Sequence, residues 1–499
     1  MPDAKPAIKY VVISDTHFGA ATSLLTRVRL STNRPHPVQP TPVLERLVAC
    51  LRTLIPDGPL ESKPTLILNG DIFELALSEM NLAGMAFLRF AELVFPKDGE
   101  PLFSRIIFLP GNHDHHLWEM ARETQYLDHM SKPRWRRYPD PPHHATTLFL
   151  DDTKLAEIPP AQFLVKLLRH IPRFDGVDAD IRTFYPNLGL LSDDGKKCLI
   201  VHHGHFVEPV YYLMSTLRTM LFPKRRKKGS YPPHVWDVEA ENFAWIDFVW
   251  STLGRSGKVG PDVGLVYELM HSDQGRAFLV RNLSNGFADA FGPRWLPAKA
   301  RAMLWKLTLD IASERAAGQV ESKKAGSVPL NPEAEECLKF YLEGPLHSQM
   351  CVSRRPGQSQ VPADQEMPDD VTFLFGHTHK PFQTRRAYDR DKYKSPVMLH
   401  NIGGWIVEMP APVKTFGGAI VFADAGLNTA QVEFYRESKD GAEPASVVTG
   451  PAGPNPLVAH LEGLMNANLP AWDAFTTAVE ADLPDRRRIL KAQQTPPAR

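Results

Sequence analysis

Five short apolar runs punctuate the chain, at 10–13, 66–68, 106–109, 199–201 and 371–375. None alternates with polar residues, which is the pattern of a strand buried on both faces. Each run passes into a polar turn: SDTHFG, NGDIFE, PGNHDHH, HHGH and GHTHKP. Layered α/β folds bind ligands just beyond the carboxyl ends of their strands. Five such turns are therefore expected to converge on one site. Residues 43–55 and 80–95 carry apolar side chains at helical spacing and predict helices between the first three runs.

The runs are unevenly spaced. The intervals from Asn112 to His203 and from His203 to His377 are far longer than an ordinary crossover, which predicts two insertions. The first covers about 115–185. The second, 206–365, is largely helical by pattern and is expected to cap the site. Its Pro/Gln/Ser-rich end, 353–368, reads as a mobile loop returning to the last run. After it, VMLHNIGGW, GGAIVFAD and AQVEFYRE predict further strands, and a helix is expected near 456–490 before a frayed end. The resulting division is a core in two parts, 1–205 and 366–437, the insertion 206–365, and a C-terminal extension, 438–499. The oligomeric state has no signature in the chain.

Charge and cysteine content narrow the function classes. Lys+Arg and Asp+Glu number 57 each, so the chain has no global pull on nucleic acid, and no nucleic-acid partner is expected. The four cysteines lie far apart without a CxxC pair, so neither a disulfide framework nor a zinc–thiolate site is indicated. The N-terminus lacks a charged-then-apolar signal pattern, and no uninterrupted apolar run reaches the roughly 18 residues of a membrane span. A cytoplasmic location is the expectation.

The turns hold a specific chemistry. Asp15 and His17, two residues apart, can flank one metal from a single turn. Asp71 is a carboxylate able to bridge two cations, and Asn112 supplies an amide oxygen. His203, His377 and His379 supply imidazole nitrogens. Mixed N/O ligation without thiolate suits Mn, Fe, Zn, Ni or Co, with manganese the leading candidate. These seven residues exceed what one such ion takes from protein but suffice for two divalent ions sharing Asp71. Two metals roughly 3.5–4 Å apart clamp an in-line displacement at phosphorus.

In order, DxH, GDxxE, GNHD, HG and GHTH resemble the calcineurin-like metallophosphoesterase superfamily. The resemblance covers about 9–120, 198–208 and 371–425. It implies a four-layer α/β/β/α sandwich. It also implies one metal on Asp15, His17, Asp71 and His379, a second on Asp71, Asn112, His203 and His377, and attack on phosphorus by a bridging hydroxide. His113 would be the general acid, oriented by Asp114. The expected activity is hydrolysis of a phosphomonoester or phosphodiester, on a small or lipid-linked substrate. A UDP-diacylglucosamine-type lipid pyrophosphatase, a nuclease and, last, a non-catalytic scaffold are the alternatives within the superfamily.

Several neighbours carry weaker signals. His205 is a candidate to touch substrate phosphate. His202 is expected to face the opposite side of its strand. His115 and His116 are expected at a solvated helix start, and Glu74 is expected to support its own turn. A second-shell role is open for His400 and Asn401. Phe206, Val210, Leu213, Met214, Leu217, Met220 and Leu221 recur at helical spacing and precede five consecutive cations, Lys224 to Lys228. The first expectation is packing against other helices of the insertion, 236–253 and 298–315. The alternative is peripheral contact of 206–228 with an anionic membrane.

Overall fold

The computed structural model describes residues 6–131, 143–174, 180–221, 234–247, 328–353, 367–439, 441–448 and 455–495, with a few isolated positions besides. The five apolar runs are strands: β1 (Ile8–Ile13), β2 (Thr65–Asn69), β3 (Arg105–Leu109), β6 (Lys197–His202) and β7 (Asp370–Phe375). Other described strands are β4 (Arg182–Thr183), β5 (Asn187–Leu191), β8 (Phe382–Arg386), β9 (Val397–Asn401), β10 (Gly417–Asp424), β11 (Thr429–Ser438) and β12 (Gly441–Glu443).

They form two main sheets. The first runs β12-β11-β10-β1-β2-β3-β4, with Ser446–Val447 beside β11. The second runs β8-β9-β7-β6-β5. β1, β2 and β3 are mutually parallel, as are β6 and β7, so their carboxyl ends point the same way within each sheet. Alternate residues along each strand face opposite layers. Val12, Ile67, Ile107, Leu199, Val201 and Leu374 fill the space between the sheets. Val11, Ile13, Leu66 and Leu68 instead meet helices outside the first sheet. Ile200, Phe373 and Leu399 meet the insertion outside the second. The result is an α/β/β/α sandwich.

Helices α1 (Pro42–Leu54) and α2 (Met80–Val94) form where the apolar spacing predicts them. Thr41 caps α1 by accepting from the Leu44 N–H at 3.0 Å. The first expected insertion, 115–185, holds α3 (His116–Met130) and α4 (Gln162–Leu168). The second begins with the short turns His205–Val207 and Pro209–Tyr212. It continues through α5 (Leu213–Leu221), α6 (Val235–Ile246), α7 (Pro332–Tyr341) and α8 (His347–Ser353). One continuous helix from Phe206 is thus corrected: Pro209 interrupts the ladder, and Phe206 turns inward to stack on Tyr341 at 4.1 Å. The Lys224–Lys228 run, the expected helix 298–315 and most of the 353–368 loop lie outside the described residues.

The single helix expected near 456–490 is two, α9 (Pro456–Ala467) and α10 (Leu469–Gln494). Pro470 has no N–H to continue α9, and its ring clashes with the preceding turn, so the chain restarts there. α10 runs on to Gln494, past the expected helix end, and its Phe475, Val479, Leu483 and Leu490 are buried in the core shared with α1; residues 496–499, where a frayed end was expected, lie outside the described residues. Among the described residues no helix is long and apolar enough to cross a membrane.

Candidate metal centre

The carboxyl ends of β1, β2, β3, β6 and β7 carry Asp15, Asp71, Asn112, His203 and His377 to one place. Backbone bonds lash the turns together: Asp15 N–H donates to Gly70 O at 3.0 Å and His17 N–H to Asp71 O at 2.9 Å. His377 N–H donates to Asp15 Oδ1 at 2.9 Å. Asp15, His17, Asp71, His377 and His379 all have positive φ, between 44° and 67°. This left-handed conformation is costly for residues with a Cβ and persists where the surroundings over-determine it. The neighbouring glycines are required by close approach. A Cβ on Gly111 would collide with Asp71 Oδ1, and one on Gly376 with Asp15 Oδ2.

The side chains gather into overlapping clusters: Asp15, His17 and His379; Asp71, His203 and His377; and His17, Asp71 and His113. In each, the potential ligand atoms lie within 4.8 Å of one another. The inward atoms are identifiable. His17 Nε2 lies 3.2 Å from His379 Nε2 and 3.8 Å from Asp71 Oδ2. His379 Nε2 lies 3.2 Å from Asp15 Oδ1. On the other side His203 Nε2 is 3.2 Å from Asp71 Oδ2, 3.2 Å from His377 Nδ1 and 2.8 Å from Asn112 Oδ1. Asp71 therefore stands between two groups of donors.

Three carboxylates hold the outward nitrogens. His17 Nδ1 donates to Glu74 Oε2 at 2.9 Å, and His377 Nε2 donates to Glu208 Oε1 at 2.9 Å. His379 Nδ1 lies 2.8 Å from Glu408 Oε1. All three glutamates are buried. Such partners select the ring tautomer and aim the other nitrogen inward. Sequence reasoning missed Glu208 and Glu408 and undervalued Glu74. The available signal was an acidic residue inside an otherwise apolar stretch, as in HFVEP and GGWIVEMP.

Electrostatics at the centre favour a cation. Burial would raise the Asp71 carboxyl, but the imidazoles of His203, His113 and His17 hold it well below the usual carboxylate range. Burial would depress His379, but Asp15 and Glu408 raise it to about 9. Charged carboxylates packed this deeply call for positive charge among them. Together with the N/O donor set and the convergence of ligand atoms, this fits a site for divalent ions.

His113 sits at the rim, its side chain 15% exposed, with its ring edge-on to His17 at 4.9 Å. Its Nδ1 donates to Glu74 Oε1 at 2.9 Å. Burial would lower it, but the Glu74 and Asp71 carboxylates raise it to about 10. Asp114 does not orient His113, as the resemblance implied. Its oxygens accept from the backbone N–H groups of Gly111, Ile72 and Phe73 at 2.6, 2.9 and 3.2 Å, which ties the GNHD turn to the GDIFE turn. Glu74 takes the orienting position, because its two oxygens reach His17 and His113 together.

The weaker candidates separate. His205 is fully buried, and neither ring nitrogen has a hydrogen-bond partner among the described residues. Its ring lies 5.8 Å from that of His203. His202 packs against Phe206 and Tyr341 on the outer side of the strand. The expectation of a solvated helix start at His115 is corrected: that side chain is fully buried beside Tyr185. His400 hydrogen-bonds Gln431 and Thr429, away from the cluster. Asn401 donates to Gly376 O at 2.8 Å and so braces the turn that carries His377.

Residues 8–224 match the calcineurin-like phosphoesterase family model. No curated protein matches the chain. With the motif-bearing turns gathered at the mouth of an α/β/β/α sandwich, the match over residues 8–224 supports a place in the calcineurin-like metallophosphoesterase superfamily.

Proposed function

We propose that the protein hydrolyses a phosphomonoester or phosphodiester with two divalent transition-metal ions, manganese the first to try. The observation that carries this reading is the shared position of Asp71 between two clusters of N/O donors. Asp15, His17, Asp71 and His379 would hold one ion, and Asp71, Asn112, His203 and His377 the other. Such ions supply Lewis acidity and lower the pKa of bound water.

The chain's own residues do the rest. Glu74, Glu208 and Glu408 fix three imidazoles so that the ligand atoms need no reorganisation. Glu74 also holds His113 by its Nδ1, which leaves Nε2 to face a substrate. The Glu74 carboxylate beside it favours the protonated imidazole, the state needed to donate a proton to a departing oxygen. The test is reconstitution with Mn, followed by elemental analysis and assays on p-nitrophenyl phosphate and bis-p-nitrophenyl phosphate. Close to two ions per chain and metal-dependent turnover are expected. No more than one ion, or no turnover of either substrate, would overturn the reading.

A further inference from the structure

The GNHD turn leads directly into α3, which begins at His116. Helix starts leave backbone N–H groups without intrahelical partners, and a Ser, Thr, Asp or Asn at the cap position ordinarily accepts from one of them. Here the cap residue is His115, whose backbone is already helical and whose side chain makes no capping bond. The acceptor comes from elsewhere. His116 N–H donates to Ser251 Oγ at 2.7 Å, across 135 residues of sequence. Asp247 Oδ1 lies 3.6 Å from His115 Nδ1 and 3.4 Å from His116 Nδ1, adding a carboxylate at the positive end of the helix. Ser251 and Asp247 belong to the second insertion, just past α6.

The turn is thus held from two sides. Inside, Asp114 gathers the N–H groups of Gly111, Ile72 and Phe73. Outside, the insertion supplies the cap that the local sequence lacks. His113 lies between these two anchors, one residue from Asp114 and three from the capped His116. We infer that Asp247 and Ser251 are positioning residues, through which the second insertion sets the placement of His113 over the metal centre. The inference rests on the proposed acid role of His113 and adds a remote determinant to it. Displacing a reacting group by about 1 Å can cost on the order of a hundredfold in rate.

Leaving-group dependence tests the clasp. Asp247→Ala, Asp247→Asn, Ser251→Ala and His113→Ala are assayed as Mn-loaded full-length protein on p-nitrophenyl phosphate and phenyl phosphate. Phenolate is the poorer leaving group and needs the proton more. Asp247→Ala and Ser251→Ala should lower kcat on phenyl phosphate by about tenfold, with a smaller loss on p-nitrophenyl phosphate and unchanged metal content. Asp247→Asn should fall between Asp247→Ala and wild type. An equal loss on both substrates, or none, would overturn the inference. If Asp247→Ala does not fold, Ser251→Ala, which removes one hydroxyl, decides the question by the same criterion. If His113→Ala itself shows no leaving-group dependence, the acid role fails first, and the two failures remain distinguishable.

Discussion

The two halves of the centre are built to the same chemical plan but supported differently. Around Asp15, His17 and His379, the orienting carboxylates are Glu74 and Glu408, both from segments of the two-sheet core. The same segments are stitched by backbone bonds, with Trp405 N–H donating to Asp15 O at 2.9 Å and Val407 N–H to Thr22 O at 3.0 Å. Around Asn112, His203 and His377, support comes from the second insertion. Glu208, at its start, holds His377, and Ser251 caps the helix after Asn112 and His113. The partners of the first half thus come from the two sheets and their turns, whereas those of the second come from the 206–365 segment.

The most damaging test removes what the halves share. Asp71→Asn should lower metal content at both positions and leave no measurable turnover, because the bridging charge is lost. Elemental analysis that finds one ion fully retained would mean that the halves are independent. Next, His113→Ala should cut turnover by roughly 10²–10⁴ while metal content stays near that of wild type. A parallel loss of metal would make His113 a ligand instead, as its clustering with His17 and Asp71 permits.

The supporting carboxylates sharpen the contrast. Glu408→Gln and Glu208→Gln should each weaken one ion by about 10–100-fold, since losing an outer partner of a ligating histidine has that order of effect. Stepwise Mn titration of the two variants should show different steps affected. If both variants weaken the same step, the division into halves is wrong.

The smallest effect lies in the insertion. Tyr185 donates to Glu239 Oε2 at 2.7 Å, and Tyr211 donates to the other oxygen. Burial raises the Glu239 carboxyl to about 7, against the opposing pull of those two hydroxyls. Its folded value therefore lies above its unfolded one. The fold binds this proton more tightly than the unfolded chain does, so stability declines as pH rises from about 4.5 toward 7. Glu239→Gln should flatten the fall of Tm across that window. An unchanged slope would show that Glu239 does not set it.

Much of this was readable before any coordinates, for local reasons. Runs such as 66–68 and 371–375 are strands because a short, unbroken apolar segment can be buried on both faces of a sheet. The candidate ligands follow those strands within a few residues. Misreadings arose where a distant partner decided the outcome. His115 looked like a solvated helix start until Tyr185 covered it. Asp114 stands beside His113 in the chain, yet its oxygens face the GDIFE turn while Glu74 reaches the imidazole. The 206–221 segment kept its helical period but lost its first turns to Pro209 and to the stacking of Phe206 on Tyr341.

The sequence by itself determined the strand–turn order, the seven candidate donors and the resemblance to the superfamily, since each is written in residues adjacent along the chain. Tertiary structure alone decided which nitrogen of each imidazole points inward, which carboxylate stands behind it and where α3 finds its cap. Those choices depend on angstrom-scale contacts between residues such as His116 and Ser251. No periodicity along a chain encodes a contact between segments that meet only after folding.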